Sequence, residues 1–597
     1  MQMRISPRRL ATIKRTLSSK PLLPAIIVFI TAFLLRVDKI AFRSIWMDED
    51  AQATVAGEWS LPRIAYKAAR HHQPPIDYYA EKIGLTLFGY TEVGARIHAV
   101  MWSALAAALF FILLTRQLRH PVAIGMGALF FILHPDLVRY ATEGRPISCG
   151  VFFATLFLYV LSHHFSRPVA GRYATAKQFG LLFASEFGLL LSVGFQPVVL
   201  VVTVFIAATS HALCARSRKR AMVFMAASLT ATAAALPVLM LGVANGEAYL
   251  GTATPLERLG KIATNLSTFD TISYQQKLLP LIGDLLPILI AALPLATLNW
   301  TYRLKLTRKR LMDIALLLTL LLYPVIFDTL FNALINYSIA LRYYLTLAPF
   351  ALLAAARIID DAIIALRSLT AAKSLYARTA ACSVIALLLT LSTNHLVDGI
   401  HDRNKASVRT DWRSLFGYIR TSVPSNSNAY LFNLVPEGRW APPRFYTEKF
   451  YYPEAKGRPA ALYRENVLIP HYRKAENRWK KDVLFVTPYG YESIHGQLFS
   501  DNKDVAVLRF HRLSVIHIKH GRNMRHRVRR IFERLASQVE KTEKNYLVFE
   551  TLGWMQLFDG ERNTALKTVN ILKEIDKRGA LSASIIAPLS DAVFNDK

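Results

Sequence analysis

Ser44-Ile45-Trp46-Met47-Asp48-Glu49-Asp50 brings three carboxylates together just after an apolar run from about Pro21 to Val37. Ahead of that run, Met1 to Lys20 carries Arg4, Arg8, Arg9, Lys14, Arg15 and Lys20 and no acid. A secretory signal begins in the same way. This run, however, is long enough to span with its flanks, and no small-residue cleavage site follows it. It reads as a retained first transmembrane helix with its basic end in the cytoplasm. The acids then fall at a membrane exit, where charge is costly unless solvated or paired, and where it tends to mark chemistry or ligand binding. The competing reading is a solvated acidic turn among lipid headgroups.

The rest of the chain fits a membrane protein. Of 597 residues, 53% are hydrophobic and 19% charged, which is too apolar for a pair of ordinary soluble domains. The net charge of +31 is read as basic loops against anionic lipid before nucleic acid. Cys149, Cys214 and Cys382 show neither a disulfide framework nor zinc spacing. After the first run comes an irregular stretch, 40–95, rich in Trp and Tyr and broken by His71-His72-Gln73-Pro74-Pro75. It reads as a large external loop with short interfacial helices. Apolar segments follow at about 96–115, 121–135, 147–165, 178–193, 196–213, 221–243, 279–298, 311–331, 343–359 and 376–394. With the N-terminus inside, the loops Arg116–His120, Arg167–Lys177, Arg216–Arg220, Arg303–Arg310 and Arg357–Arg378 all face the cytoplasm with excess Lys and Arg. Asp48, Glu49, Asp50, Glu143 and Glu247 fall outside. A missed helix would break this segregation, so it supports about eleven spans.

The expected fold is therefore an α-helical polytopic membrane domain over 1–394, joined to a soluble α/β domain over 395–597 on the extracytoplasmic side. In the latter, Trp412, Leu415, Phe416 and Ile419 recur at helical spacing after Asp411, a natural N-cap. Ala429–Leu434, Val483–Thr487, Val505–Phe510 and Leu513–Ile518 read as strands, and Arg522–Val539 as a basic helix. No nucleotide-binding fingerprint is present.

With this topology, polar residues converge at the external surface. The first loop gives Asp48, Glu49, Asp50, His71 and His72. The second gives His134, Asp136, Arg139, Tyr140, Glu143 and Arg145. The fifth gives Asn336, Tyr337, Arg342, Tyr343 and Tyr344. Acids, arginines and aromatics at a lipid boundary suit a lipid-linked anionic substrate, since the planar guanidinium matches phosphate. An Asp can deprotonate an attacking hydroxyl or balance charge developing on a sugar. Structural roles compete at each point. Glu143 and Arg145 can pair with each other, Arg342 can reach headgroups, and the tyrosines can anchor the interface. Two adjacent His rarely face one ion, so no metal site is assigned. A divalent ion at His71 and His72 is the alternative left open, and no other cofactor is implied.

The order of these features resembles the GT-C superfamily of membrane glycosyltransferases, in particular the group holding protein O-mannosyltransferases, the aminoarabinose transferase of lipid A and the rhizobial galacturonic acid transferases. The resemblance rests on Trp46-Met47-Asp48-Glu49 and on His72-Gln73-Pro74-Pro75-Ile76-Asp77-Tyr78-Tyr79. Phe88-Gly89 and Ala95-Arg96 follow in order, then His134-Pro135, and then Arg139-Tyr140-Ala141-Thr142-Glu143-Gly144-Arg145-Pro146. It continues with Arg342-Tyr343-Tyr344-Leu345 through Pro349 and with Asp411-Trp412-Arg413. Two departures stand out: the third acid, Asp50, and the reading Glu-Gly-Arg-Pro-Ile at 143–147.

The resemblance implies inverting transfer of a sugar from a polyprenyl-phosphate donor to a lipid, glycan or protein acceptor outside the cytoplasm, at a bacterial inner membrane. Asp48 would be the catalytic acid residue with Glu49 beside it. Asp50, His72, Glu143, Arg145 and Arg139 would shape the substrate site, and Arg342 with Tyr343 would hold the donor phosphate. The chain's partners would be the lipid-linked donor, the envelope acceptor and membrane lipids, with no nucleic acid. Three other readings stay open: a transporter or flippase of lipid-linked saccharides, an oligosaccharide polymerase or ligase, and a scaffold presenting the external domain.

Overall fold

The computed structural model describes residues 21–38, 40–41, 44–45, 47–70, 75–166, 172–193, 218–244 and 341–371. It also describes the strands and helices lying between 430 and 576 and a few isolated positions elsewhere. The chain divides into two compact units. One comprises Met1–Ile40, Val55–Gly89 and Val93–Ala406, and the other Ala41–Thr54, Tyr90–Glu92 and Ser407–Lys597.

The first unit is helical. Its elements are α1 (Leu22–Val37), α2 (Met47–Glu58, whose first turns count with the second unit), α3 (Leu61–Arg70), α4 (Ile76–Phe88), α5 (Glu92–Gln117), α6 (Pro121–Leu133) and α7 (Pro135–Ala141). Then come α8 (Ile147–Ser166), α9 (Arg172–Leu190), α10 (Arg218–Ala244), a 3₁₀ helix (Leu341–Leu347) and α11 (Ala348–Ala371). Among the described residues, three helices are long and apolar enough to cross a membrane: Glu92–Gln117, Ile147–His164 and Ala221–Val238. At 1.5 Å per residue α5 runs about 39 Å, more than the hydrocarbon thickness. Large apolar side chains point outward, Leu22, Ile27 and Leu34 on α1 and Met222 and Leu229 on α10, as lipid-facing helices require. The segments predicted at 279–298, 311–331 and 376–394 lie outside the described residues, as does most of 196–213.

The segment predicted at 121–135 is α6, and it ends where α7 sets off at 47° to it. Both helices start the same way. His120 and His134 each sit at the N-cap, with Nδ1 accepting from Val122 N at 3.3 Å and from Leu137 N at 3.4 Å. Pro121 and Pro135 follow at the first helical position, where the missing N–H costs nothing.

The predicted span 343–359 is also revised. Its first residues form the 3₁₀ helix, and α11 continues to Ala371. Its alanines, isoleucines and leucines are compatible with helix and no glycine or proline intervenes. Asp360, read as part of a cytoplasmic loop, is buried inside α11, and its carboxylate accepts the backbone N–H groups of Arg119 (2.9 and 3.1 Å) and His120 (2.7 Å). These are orphan donors at the start of α6, so an anion there meets both the open N–H groups and the positive end of the helix dipole. Arg357, one turn earlier, donates to Gln117 Oε1. One end of α6 is thus fixed to the middle of α11. The other end leads into α7, which packs on α8 and on the 3₁₀ helix preceding α11. Around this frame an apolar core gathers Phe110, Phe131, Phe157, Leu353 and Ile359.

In the second unit, β1 (Tyr430–Asn433), β2 (Leu462–Tyr463), β3 (Val483–Pro488), β4 (Val505–Phe510) and β5 (Leu513–Ile518) form a sheet of order β2-β1-β3-β5-β4. β1 runs parallel to β2 and β3, while β5 runs antiparallel to β3 and β4. The β-rich runs at 483–487, 505–510 and 513–518 are strands as their pattern predicts. Helices α12 (Met524–Gln538), α13 (Tyr546–Phe558) and α14 (Arg562–Ile575) follow, and α13 packs on both of the others. Arg529 ties them together through Glu533 Oε1 (2.8 Å), Glu561 Oε1 (2.6 Å) and Asp559. Burial alone lowers its pKa, but these carboxylates outweigh that and hold the guanidinium above its ordinary value. The helix predicted at Asp411–Thr421 lies outside the described residues apart from Tyr418.

Asp360→Ala leaves two buried backbone donors without their carboxylate. It is expected to cost about 1–3 kcal/mol, read as a lower midpoint of thermal unfolding in detergent. Asp360→Asn keeps one acceptor oxygen and is expected to cost less.

Candidate functional site

α2 opens with Asp48, Glu49 and Asp50 in its first turn, where carboxylates complement the helix dipole. Glu49 and Gln52 are buried, whereas Asp48 and Asp50 are half-buried. The acids therefore form a helix start, rather than a freely solvated turn. At the other end of α2, Lys82 of α4 places Nζ 3.0 Å from both the Ala56 and Trp59 carbonyls, satisfying the helix's last acceptors. Arg63 stacks over the Trp59 ring at 4.1 Å. Tyr79 donates to the Leu61 carbonyl at 3.2 Å, and burial raises its phenol above the ordinary value. The described residues of 47–88 thus form three short helices stitched by Lys82 and Tyr79.

α4 differs from an interfacial helix in what it buries. Asp77, Tyr78 and Glu81 all lie on its covered face. Asp77 Oδ2 is 3.2 Å from His98 Nε2 on α5. Close helix approach explains how they meet, since a Cβ on Gly84 of α4 would stand 2.5 Å from the Gly94 carbonyl of α5. Sequence reading quoted Asp77 inside a motif but assigned it no role, and did not single out His98. The available signal was an ionisable residue inside an apolar span.

The loop read as the second external one is buried throughout, from Ala141 to Gly150. Thr142 Oγ1 donates to the Arg139 carbonyl at 2.9 Å, and Ser148 Oγ to the Tyr140 carbonyl at 3.3 Å. The Arg145 N–H bonds the Glu143 carbonyl at 2.8 Å. Glu143 Oε1 faces Arg139 Nε at 3.8 Å, and the Arg139 guanidinium sits 5.3 Å from the Tyr140 ring centroid. Glu143 is 2% and Arg145 5% exposed, so this tight turn holds an acid and a cation out of water. Burial gives both more electrostatic leverage on an anionic or polar ligand than a surface pair would have.

Arg342 and Tyr343 lie in the 3₁₀ helix, which packs against α7 and α8 and so against the second loop. Gly150 makes that approach feasible, because a Cβ there would collide with Val193 and come within 3.0 Å of Thr346. The fold therefore brings the segment of Arg342 and Tyr343 beside the one holding Arg139, Glu143 and Arg145. Asp48, Glu49 and Asp50 belong to the second unit. His71 and His72 lie outside the described residues, and among those described no group of three or more His, Cys, Asp or Glu is arranged to hold a metal ion.

No protein-family model matches this chain, and no curated protein matches it. Among solved structures it is similar to ArnT from Cupriavidus metallidurans bound to undecaprenyl phosphate. The TM-score is 0.46 at 13% identity, over 83% of this chain and 97% of that one. The apo state of the same protein gives a TM-score of 0.47 at 14% identity, over 85% and 98%. A likeness at that level decides neither fold nor activity.

Arg139 is partly exposed and its ion pair is long, so Arg139→Gln is expected to shift thermal stability by no more than about 1 kcal/mol. Arg145→Met, at a buried position one turn away, is expected to cost about 1–3 kcal/mol in the same assay.

Proposed function

We propose that this chain is an integral-membrane glycosyltransferase that moves a sugar from a polyprenyl-phosphate donor to an envelope acceptor on the extracytoplasmic face, with inversion. The observation that carries the reading is the acidic first turn of α2, directly after the first apolar helix, with Glu49 wholly buried. Buried acid at a membrane exit is expensive and persists where it does work. The motif order around it, described above, supports the same chemistry.

In this reading the donor's leaving group is a phosphate, a good one once cations stabilise the charge it gains. Arg342 with Tyr343, beside Arg145 and Arg139, supplies that stabilisation, and the guanidinium stays charged at any working pH. Asp48, with Glu49 next to it, takes the proton from a sugar or Ser/Thr hydroxyl acceptor as general base. If the acceptor is a lipid phosphate it is already ionised, and Asp48 orients it. Asp50, His72 and Glu143 complete the recognition of sugar and acceptor. The protein then sits in a bacterial inner membrane with its N-terminus in the cytoplasm. The C-terminal residues form an extracytoplasmic α/β domain.

One observation favours a second reading, a transporter or flippase of lipid-linked saccharides. Glu186 on α9 is fully buried and accepts from Ser228 Oγ on α10 at 2.9 Å. An acid within the bundle is the placement a transporter uses.

Mass spectrometry of envelope glycolipids and glycans separates the two. In cells lacking the protein one sugar should disappear while its lipid-linked donor accumulates, and Asp48→Asn at normal expression should reproduce that loss. Restoration of the sugar by Asp48→Asn, together with failure of Glu186→Gln to restore it, would instead establish the transporter reading.

A further inference from the structure

Asp77 and His98 face each other inside the helical unit, with side chains 0% and 2% exposed and Oδ2 3.2 Å from Nε2. His98 lies six residues into α5, about 9 Å along the helix from its first residue. A carboxylate only accepts hydrogen bonds, so Asp77 takes the Nε2 hydrogen and leaves Nδ1 of the neutral ring as an acceptor. That Nδ1 is buried and meets no donor among the described residues. One helical turn on, the Trp102 indole Nε1, a donor only, is buried and meets no acceptor among them. The indole packs against Phe152 and Phe153 of α8, with ring centroids 5.1 and 5.8 Å away. Asp77 is also within electrostatic reach of the Cys149 thiol, four residues past Arg145, which sets this cluster beside the second loop.

A buried acceptor and a buried donor one turn apart on one helix cost free energy until something fills them. A hydroxyl matches both, giving its hydrogen to Nδ1 and taking one from the indole. We propose that His98 and Trp102, with Asp77 fixing the imidazole tautomer, form a hydroxyl-recognition subsite for the sugar of the lipid-linked donor, an inference that rests on the glycosyltransferase reading above. His98 and Trp102 are binding residues and Asp77 is a positioning residue. A structural water offers the same hydroxyl chemistry, and the test separates the two sources.

The full chain in lipid nanodiscs is titrated with bare polyprenyl phosphate and with polyprenyl-phosphate hexoses, pentoses and hexuronates. Wild type, Trp102→Phe and His98→Asn are compared, with thermal unfolding as the control for folding. Wild type should bind one glycosylated lipid about tenfold more tightly than the bare phosphate. Trp102→Phe, which keeps the ring stack and removes the N–H, should weaken that lipid about threefold to tenfold and leave the bare phosphate unchanged. Wild-type affinity for the glycosylated lipid in both variants overturns the subsite in favour of a structural water, with the glycosyltransferase reading intact. So does equal weakening of both lipids, which marks a packing role, and so does equal wild-type affinity for every lipid. If wild type binds neither bare nor glycosylated lipid, the glycosyltransferase reading fails and the subsite falls with it.

Discussion

A helix that starts inside an apolar bundle leaves backbone N–H groups with no water to bond, and this chain starts one there, at His134. The break is affordable because His134 lends Nδ1 to the Leu137 N–H and Pro135 has no N–H to satisfy. The direction of α7 follows from that junction, and with it the start of α8 and the tight turn of Glu143 and Arg145 between them. The 3₁₀ helix with Arg342 and Tyr343 packs against what the break creates. At the opposite end of α6 the same problem is solved by a borrowed carboxylate, that of Asp360. The two solutions hold α6 against α11 and fix both of its ends.

Charge in the interior follows the same accounting. Arg36 near the end of α1 is buried and donates to Ser103 Oγ at 2.8 Å and to the Ala32 carbonyl at 3.1 Å. Arg96 is buried and donates to the Ile40 carbonyl at 2.9 Å. Each guanidinium donates to a backbone carbonyl, and Arg36 to a hydroxyl as well. Such bonds link α1 to α5, and α5 to the chain just after α1, at modest desolvation cost. Breaking either link leaves a buried cation short of an acceptor, which costs more than the bond itself contributes.

Much of this organisation is legible in the sequence because it follows from side-chain character alone. Long apolar windows mark α5, α8 and α10, and alternating β-branched runs mark β3 to β5. The Trp46-Met47-Asp48-Glu49 and Arg139–Pro146 blocks announce themselves by placing charge beside apolar segments. Other features depend on which residues meet. Asp77 and His98 sit on separate helices and become a pair only when Gly84 and Gly94 let α4 and α5 close up. Asp360 looks like part of a charged loop because its partners are the backbone of Arg119 and His120, which no side-chain pattern reveals.

Gly150 acts as a shim of zero thickness between α8 and the 3₁₀ helix. It carries no charge, bonds nothing through a side chain and sits in an apolar helix, so it has no chemical signature of a site residue. Yet a single methyl group there reaches Val193 and Thr346 and forces the segment bearing Arg342 away from the second loop. Tolerance to substitution in this region is consequently set by clearance as much as by charge.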